Sequence, residues 1–230
     1  HQGHGGAVSL AAVPTFATRW LLPRLSRLAR QHPDIVVHIE TQTRPFLFAD
    51  TTFDAALYAG TPEQVAHWPG VQAQLLMHED VVPVCSPRLL ESAAPRGRGR
   101  AHQPVAAEAL ADLPLLQQST RPYGWRQWFD AMGVDAPHAL DGPRYELFSM
   151  AAVAATHGMG VALMPLLLIE AELASGELMV ACNRPLRGER AYYLISPAQA
   201  QPPVLTTFAQ WLQTMAQTAT SAAGKAGGAE

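Results

Sequence analysis

The sequence predicts an α/β protein of two Rossmann-like lobes, which the chain joins by two crossings. Apolar runs of strand length alternate with helical patterns, and strands of the first lobe flank a second α/β unit. The chain has 230 residues, of which 48% are hydrophobic and 15% charged, so it can build a sizeable core and is not wholly disordered. We place lobe one at residues 7–84 and 184–217 and lobe two at residues 85–183, with a linker remnant over 1–6 and a disordered tail over 218–230.

A βαβ unit opens the first lobe. The apolar run 7–13 has strand length, and Pro14 closes it. Leucines then recur at three- and four-residue spacings, with arginines on the other side, and Pro33 ends this helical pattern. The β-rich run Ile35–Thr41 follows, and the order strand, helix, strand is typical of a parallel sheet.

The rest of the chain continues this alternation. An aromatic face on Trp125, Trp128 and Phe129 marks one helix, and Gly158 and Gly176 end two others. The helices are predicted near 106–113, around 125–129, over 147–157, from 166 to 174 and over 204–215. The strands are predicted at 53–58, 71–76, 81–85, 115–117, 160–165, 178–181 and 191–195.

Charge and hydropathy exclude two classes of partner. The chain carries 16 Lys and Arg against 19 Asp and Glu, a net charge of −3, whereas a DNA-contacting surface is usually basic. The dense basic run at 95–100 contains Gly and Pro and lacks aromatic residues for base stacking, which predicts a solvated loop. No apolar run approaches the ~20 residues of a spanning helix, so the sequence excludes a transmembrane protein.

Cysteine content and motifs argue against metal sites and catalysis. Cys85 and Cys182 are too few for a disulfide scaffold and wrongly spaced for zinc, and they favour a reducing, cytoplasmic setting. The nine histidines are scattered without the spacing of metal ligands. Because the sequence has no Gly-x-Ser-x-Gly, His-Glu-x-x-His or P-loop pattern, we expect no enzyme, no metal and no cofactor.

Polar residues at the ends of the predicted strands are candidate ligand contacts, because open α/β sheets bind ligands beyond the carboxyl ends of their strands. In lobe one, Thr15 and Thr18 open a helix whose first N–H groups favour an anion, although one hydroxyl could merely cap that helix. Thr41 and Thr43 end the second strand, where ordinary β-propensity is the alternative explanation.

Lobe two offers a corresponding group. Gln118 and Ser119 follow a strand, and Phe148 and Ser149 open the Ala-rich helix. Arg121 could pair with a carboxylate, although an exposed arginine is usually only solvated. Hydroxyls, amides and helix N-termini without a committed carboxylate predict a small anionic or zwitterionic metabolite as ligand, with Phe148 as an apolar wall.

Four segments give the chain a family resemblance. They are 13–25 (VPTFATRWLLPRL), 53–57 (FDAAL), 84–87 (VCSP) and 154–165 (AATHGMGVALMP). In their order and spacing they resemble the effector-binding domain of LysR-type transcriptional regulators, in the branch that includes the glycine-cleavage activator and the β-lactamase regulator. The resemblance covers nearly everything from residue 7 to about residue 217.

The resemblance implies a periplasmic-binding-protein-like fold of type II, with a small-molecule effector held between the lobes. It implies that a winged helix-turn-helix would precede residue 1, so this chain is the sensory part and reaches DNA only through that missing domain. It further implies a homodimer with antiparallel pairing, a tetramer in the full-length protein, and a cytoplasmic location.

The resemblance also extends the set of site residues. The family places an effector-contacting hydroxyl where this chain has Thr15, and Asp54 and Tyr192 match ligand-contacting positions of the branch. The predicted effector-binding set is Thr15, Phe16, Thr18, Thr41, Thr43, Asp54, Gln118, Ser119, Phe148, Ser149 and Tyr192. The chain departs from the β-lactamase-regulator pattern at 146–148, where Glu-Leu-Phe replaces Asp-Ser-Ser, which argues against a muropeptide-type ligand.

A second class of protein fits the same outline. A free-standing solute-binding protein of a transporter shares the fold and could have lost its signal peptide on maturation. The segment upstream of residue 1 would separate the two, because a helix-turn-helix there indicates the regulator and a signal peptide indicates the transporter protein. Reduced Cys85 and Cys182 would favour the regulator and a disulfide between them the periplasmic protein.

Overall fold

The computed structural model describes residues 5–93 and 102–226. The chain divides into two compact units, of which unit 1 is His1–Glu79 with Glu189–Glu230 and unit 2 is Asp80–Gly188. The division therefore falls at residues 79 and 188, where the sequence predicts 84 and 183. The predicted basic loop at 95–100 lies outside the described residues, as do the outermost residues of the predicted linker and tail.

Strands and helices alternate along the described chain. The strands are β1 (Gly6–Ala12), β2 (Ile35–Thr41), β3 (Ala55–Gly60), β4 (Val71–Cys85), β5 (Gln117–Gln118), β6 (Arg144–Tyr145), β7 (Ala162–Met164), β8 (Met179–Val180) and β9 (Leu186–Pro197). The helices are α1 (Pro14–Phe16), α2 (Leu22–Gln31), α3 (Pro62–Ala66), α4 (Pro87–Ala93), α5 (Ala107–Leu110), α6 (Gly124–Met132), α7 (Phe148–Thr156), α8 (Glu170–Ser175) and α9 (Pro203–Ala226). A π-turn (Ala17–Leu21) joins α1 to α2, and short 3-10 turns form at Phe48–Asp50 and Leu166–Leu168.

Unit 1 is built on a mixed sheet in the order β2-β1-β3-β9, followed by the first half of β4. β1 is parallel to β2 and to β3, whereas β9 is antiparallel to β3. The apolar side chains of β1 from Val8 onward and most of those of β3 are buried, together with Leu21, Leu28, Phe208 and Leu212 from the helical segments. The parallel βαβ connection places the start of α1 at the carboxyl end of β1, where sheets of this kind bind ligands.

Unit 2 has a smaller sheet and an aromatic core. The second half of β4 pairs antiparallel with β7 and β8, and β5 pairs parallel with β6. Trp125, Trp128 and Phe129 on α6 pack against one another and belong to the same buried core as both cysteines of the chain. The aromatic face predicted for this helix is therefore core packing.

The strand β4 corrects a prediction. The sequence predicts two strands, at 71–76 and 81–85, because His78, Glu79 and Asp80 interrupt the apolar pattern. The structure has one continuous strand, Val71–Cys85, in which Glu79 is buried at 4% exposure. Because β4 belongs to unit 1 in its first half and to unit 2 in its second, no single alternation of buried and exposed residues runs along it.

The predicted disordered tail is wrong over residues 218–226, because α9 continues to Ala226. Alanine, which is frequent here, is the best helix former. The hydroxyls of Thr218 and Thr220 donate to carbonyls four residues earlier, at 3.0 Å each, so these threonines satisfy their side chains within the helix.

The two predicted helix stops are confirmed. Gly158 follows α7 with φ +74° and Gly176 follows α8 with φ +79°, the left-handed conformation that favours glycine. None of the described helices combines the length and the apolar character that crossing a membrane requires.

Candidate functional site

One group of predicted site residues lies at the carboxyl edge of the unit 1 sheet. Ala12 ends β1 in register with Thr41 at the end of β2, and the Gln42 N–H donates to the Ala12 carbonyl at 2.9 Å. α1 begins two residues after Ala12, so Thr15 stands at this edge. Tyr192 on β9 lies opposite Ala59, near the carboxyl end of β3, and thus reaches the same edge from the next strand.

The threonines at this edge differ in burial. Thr15 is buried, at 6% exposure, whereas Thr18, Thr41 and Thr43 are exposed. Val13 occupies the N-cap of α1, and no side chain caps this helix. Neither Thr15 nor Thr18 is therefore the helix cap that the sequence offered as an alternative, and Thr15 is the better placed of the two for a buried ligand.

Three parallel rings link the start of α1 to β9. Phe16 stacks on Tyr192 with ring centroids 4.3 Å apart, and it also stacks on Trp20 with centroids 4.9 Å apart. All three side chains are buried. We call Thr15, Phe16, Trp20, Thr41 and Tyr192 the unit 1 cluster. In it, Phe16 holds the Tyr192 ring in place.

The π-turn that carries Trp20 has a cause in the sequence. Pro23 has no N–H, so it cannot donate to the Arg19 carbonyl as an α-helix would require. The chain instead forms a wider turn, in which the Leu22 N–H donates to the Ala17 carbonyl five residues earlier. The guanidinium of Arg24 then lies 4.5 Å from the Trp20 ring centroid and donates to the Trp20 carbonyl at 2.9 Å.

Asp54 is placed apart from the unit 1 cluster. Its carboxylate accepts the Ser9 N–H at 2.7 Å, and its own N–H donates to the Ser9 carbonyl at 2.8 Å. Ser9 lies in the middle of β1, three residues before the edge at Ala12. The structure thus gives Asp54 a role in joining β3 to β1 and does not bring it together with Thr15.

A second group of predicted residues lies in unit 2, where β5 and β6 end. The Ser119 N–H donates to the Tyr145 carbonyl at 2.8 Å, and the Gln118 amide donates to the Glu146 carbonyl at 3.4 Å. These bonds place Gln118 and Ser119 next to the segment that leads into α7. We call Gln118, Ser119, Arg121, Phe148 and Ser149 the unit 2 cluster.

Arg121 is held over Phe148 in this cluster. Its guanidinium carbon lies 4.6 Å from the ring centroid, and its Nη1 donates to the Thr120 hydroxyl at 2.7 Å. Phe148 is buried and begins α7, and Leu147, at the N-cap, provides no side-chain acceptor. A cation and the positive end of a helix are therefore combined in the unit 2 cluster, which suits an anionic group.

The buried thiols belong to neither cluster. Cys85 and Cys182 are free and buried in the core of unit 2. Burial raises the pKa of the Cys85 thiol to about 12 and also raises that of Cys182. The described residues contain no group of three or more His, Cys, Asp and Glu side chains that could hold a metal ion.

Comparison with known proteins identifies the family of the chain. Residues 1–217 match the family described as the LysR substrate binding domain. The chain belongs to that family. The α/β fold of periplasmic-binding-protein-like type II predicted from the sequence is thereby confirmed.

Individual relatives place this LysR substrate-binding domain among transcriptional regulators. It is 31% identical over 208 residues to the glycine cleavage system transcriptional activator of Escherichia coli K12, covering 90% of this chain and 64% of that protein. It is 33% identical over 211 residues to the HTH-type transcriptional regulator PerR of the same organism, covering 88% and 64% respectively. The chain thus spans slightly less than two thirds of the length of these relatives.

A solved structure gives the same result. The effector domain of the transcriptional regulator AmpR of Pseudomonas aeruginosa is similar with a TM-score of 0.77 and 27% identity, covering 96% of this chain and 99% of that one. The LysR substrate-binding domain described here is therefore an effector-binding domain of the LysR type. The alternative of a transporter's solute-binding protein is not favoured, since the similar proteins are transcriptional regulators. Transcriptional regulators of this kind are not enzymes.

Two features of this LysR substrate-binding domain were not predicted. The ring stack through Trp20 depends on the π-turn, and Pro23 inside a helical pattern is the sequence signal that could have indicated it. The contact between Arg121 and Phe148 joins residues far apart in the chain, and no spacing in the sequence signals it.

Proposed function

We propose that this LysR substrate-binding domain senses a small anionic or zwitterionic metabolite through residues of both clusters. The whole protein would then pass the signal to a DNA-binding domain N-terminal to this segment, act in the cytoplasm, and carry no catalytic activity, metal or cofactor. The observation that carries the proposal is the buried Thr15 at the start of a helix on the carboxyl edge of the sheet.

The charges in the clusters support an anionic ligand group. The unit 2 cluster contains Arg121 and the uncapped start of α7, and neither cluster contains a carboxylate. Asp54, the carboxylate in the predicted effector-binding set, already accepts the Ser9 N–H. A carboxylate is the simplest ligand group that such donors and cations would bind.

Exposed apolar side chains support a homodimer, with pairs of such dimers forming a tetramer in the whole protein. Leu22 on α2 and Val36 on β2 are about half exposed in unit 1, and Met150 and Val153 are similarly exposed on α7 in unit 2. Large apolar side chains grouped on a surface are typical of interaction sites. Sedimentation equilibrium at micromolar concentrations tests this assembly, and a monomer there would contradict it.

Thr15→Val tests the effector site. We first screen the proteinogenic amino acids and small mono- and dicarboxylates by thermal melts, because a bound ligand raises the melting temperature. Isothermal titration then compares the strongest compound on the native protein and the variant. We expect about fivefold to 150-fold loss of affinity, since valine keeps the shape of threonine but leaves a ligand oxygen unpaired, at a cost of about 1–3 kcal/mol.

Thr18→Val is the matched control, because it deletes an exposed hydroxyl one turn further along. We expect its affinity to equal that of the native protein. Equal affinity for Thr15→Val, with an intact melt, would show that the effector site lies elsewhere. A screen in which no compound raises the melting temperature would contradict the proposed class of effector.

A further inference from the structure

The five tryptophans of the chain divide into two groups by the partner of the indole N–H. Three of them donate to a backbone carbonyl: Trp68 to Phe46 at 2.7 Å, Trp125 to Leu116 at 2.9 Å and Trp128 to Arg184 at 2.9 Å. The Nε1 atoms of Trp20 and Trp211 are buried, and no atom of the described residues accepts from them. Buried donors of proteins are almost always hydrogen-bonded, so each exception calls for an explanation.

The two exceptions lie in different surroundings. Trp20 is fully buried in the π-turn that follows α1, and it is joined to Tyr192 through the ring of Phe16. Trp211 stacks on Phe208 within α9, outside the unit 1 cluster. Of the two, only Trp20 therefore lies in the unit 1 cluster.

The chemistry of Trp20 restricts what it can bind. An indole N–H only donates, so its partner must be an acceptor, such as a carboxylate or water oxygen, and cannot be an ammonium group. The Arg24 guanidinium, 4.5 Å from the same ring, adds positive charge beside this donor. Both features favour an anionic oxygen.

We propose that the indole N–H of Trp20 donates to an oxygen atom of the bound effector, or of a water molecule held at the same position. This inference rests on the proposed function, because it adds a donor to the unit 1 part of that effector site. It assigns to the ligand an oxygen that lies close to the ring stack.

Nuclear magnetic resonance of protein labelled at the indole nitrogens tests the proposal. Trp20→Phe and Trp211→Phe assign the two signals by their disappearance, and the three carbonyl-bonded indoles are internal references. In the free protein we expect the Trp20 proton, and not the Trp211 proton, to show a cross-peak with water. We then titrate acetate, followed by the strongest compound of the screen.

The titration distinguishes the two sources of oxygen. Loss of the water cross-peak with a shift of the Trp20 signal shows that the effector accepts the bond. A cross-peak that survives saturation shows that the water accepts it. A Trp20 proton without a water cross-peak in the free protein, and without a shift at saturation, would overturn the proposal.

Affinity provides a second readout. Trp20→Phe keeps an aromatic ring in the stack and deletes the donor, so we expect about tenfold weaker binding if the effector accepts the bond, and unchanged binding for Trp211→Phe. A screen without binders would count against the proposed function, while the water cross-peak would still decide the role of Trp20. If Trp20→Phe binds more weakly while Thr15→Val binds as the native protein does, then Trp20 contacts the effector and Thr15 does not.

Discussion

The two clusters are stabilised by different kinds of interaction. The unit 1 cluster is anchored by a buried stack of Tyr192, Phe16 and Trp20. The unit 2 cluster rests on strands of two residues each and on polar contacts of exposed side chains, among them the bond from Arg121 to Thr120.

This difference indicates that the contacts of the unit 1 cluster are fixed, whereas those of the unit 2 cluster can change. Packed rings in a core keep one arrangement, because every displacement opens a gap between them. Exposed polar side chains lose little when they change partners, since water replaces the lost hydrogen bond. We expect the side chains of the unit 1 cluster to keep their arrangement and those of the unit 2 cluster to change partners readily.

The largest effect is expected where the ring stack is removed. Phe16→Ala should lower the free energy of unfolding by about 3–5 kcal/mol, because it leaves a cavity between two buried rings. Urea denaturation followed by fluorescence measures this loss. Leu47→Ala, which truncates an exposed side chain outside the stack, is the control and should cost about 0.5 kcal/mol or less. A similar small loss for Phe16→Ala would mean that the stack does not anchor the cluster.

A smaller effect is expected where backbone segments meet in unit 2. A Cβ atom at Gly142 would collide with the carbonyl oxygen of Leu115, which lies two residues before β5 and its Gln118. Gly142→Ala should therefore lower the free energy of unfolding by about 1–3 kcal/mol and loosen β5. Gly188→Ala is the matched control, since a Cβ there meets no atom within 4 Å. Equal stability of the two variants in urea denaturation would show that Gly142 does not fix the unit 2 cluster.

The smallest effect concerns pH and the core of unit 2. The Cys85 thiol has a pKa of about 12 in the folded protein against 9.0 ordinarily, so between these values the unfolded chain releases a proton that the folded chain keeps. Its contribution to stability is complete below pH 9 and falls as pH rises toward 12, by about 1.4 kcal/mol at pH 10. We measure the free energy of unfolding by urea denaturation at pH 8 and pH 10 under reducing conditions. Between these two values it should fall by about 1.4 kcal/mol more for the native protein than for Cys85→Ala. Equal drops would contradict the raised pKa.

The sequence was a reliable guide where a single periodic pattern covered a whole element. Ile35–Thr41 is a strand with the predicted bounds, because β-branched residues fill it and Pro33 precedes it. The prediction failed at β4, where His78 and Asp80 look like a turn although the strand passes through them. Sequence patterns describe burial within one layer, and β4 belongs to two units.

The site was predictable to the extent that it follows from topology. Thr15 could be named because a strand, a proline and a helix place it at the sheet edge. Asp54 could not be placed in this way, since its bond to Ser9 depends on the register between β3 and β1. The contact of Arg121 with Phe148 arises only when α7 packs beside β5, which no local pattern describes.

The discontinuity of unit 1 has a consequence for biosynthesis. Unit 2 is one continuous stretch, Asp80–Gly188, whereas unit 1 takes β9 and α9 from the last part of the chain. As the ribosome adds residues from the N-terminus, unit 2 is complete before β3 receives its antiparallel neighbour β9. Until then β3 lacks its pairing with β9, and the ring of Phe16 lacks the Tyr192 ring on which it stacks. The nascent chain therefore carries this uncovered apolar surface until residues 190–216 have left the ribosome.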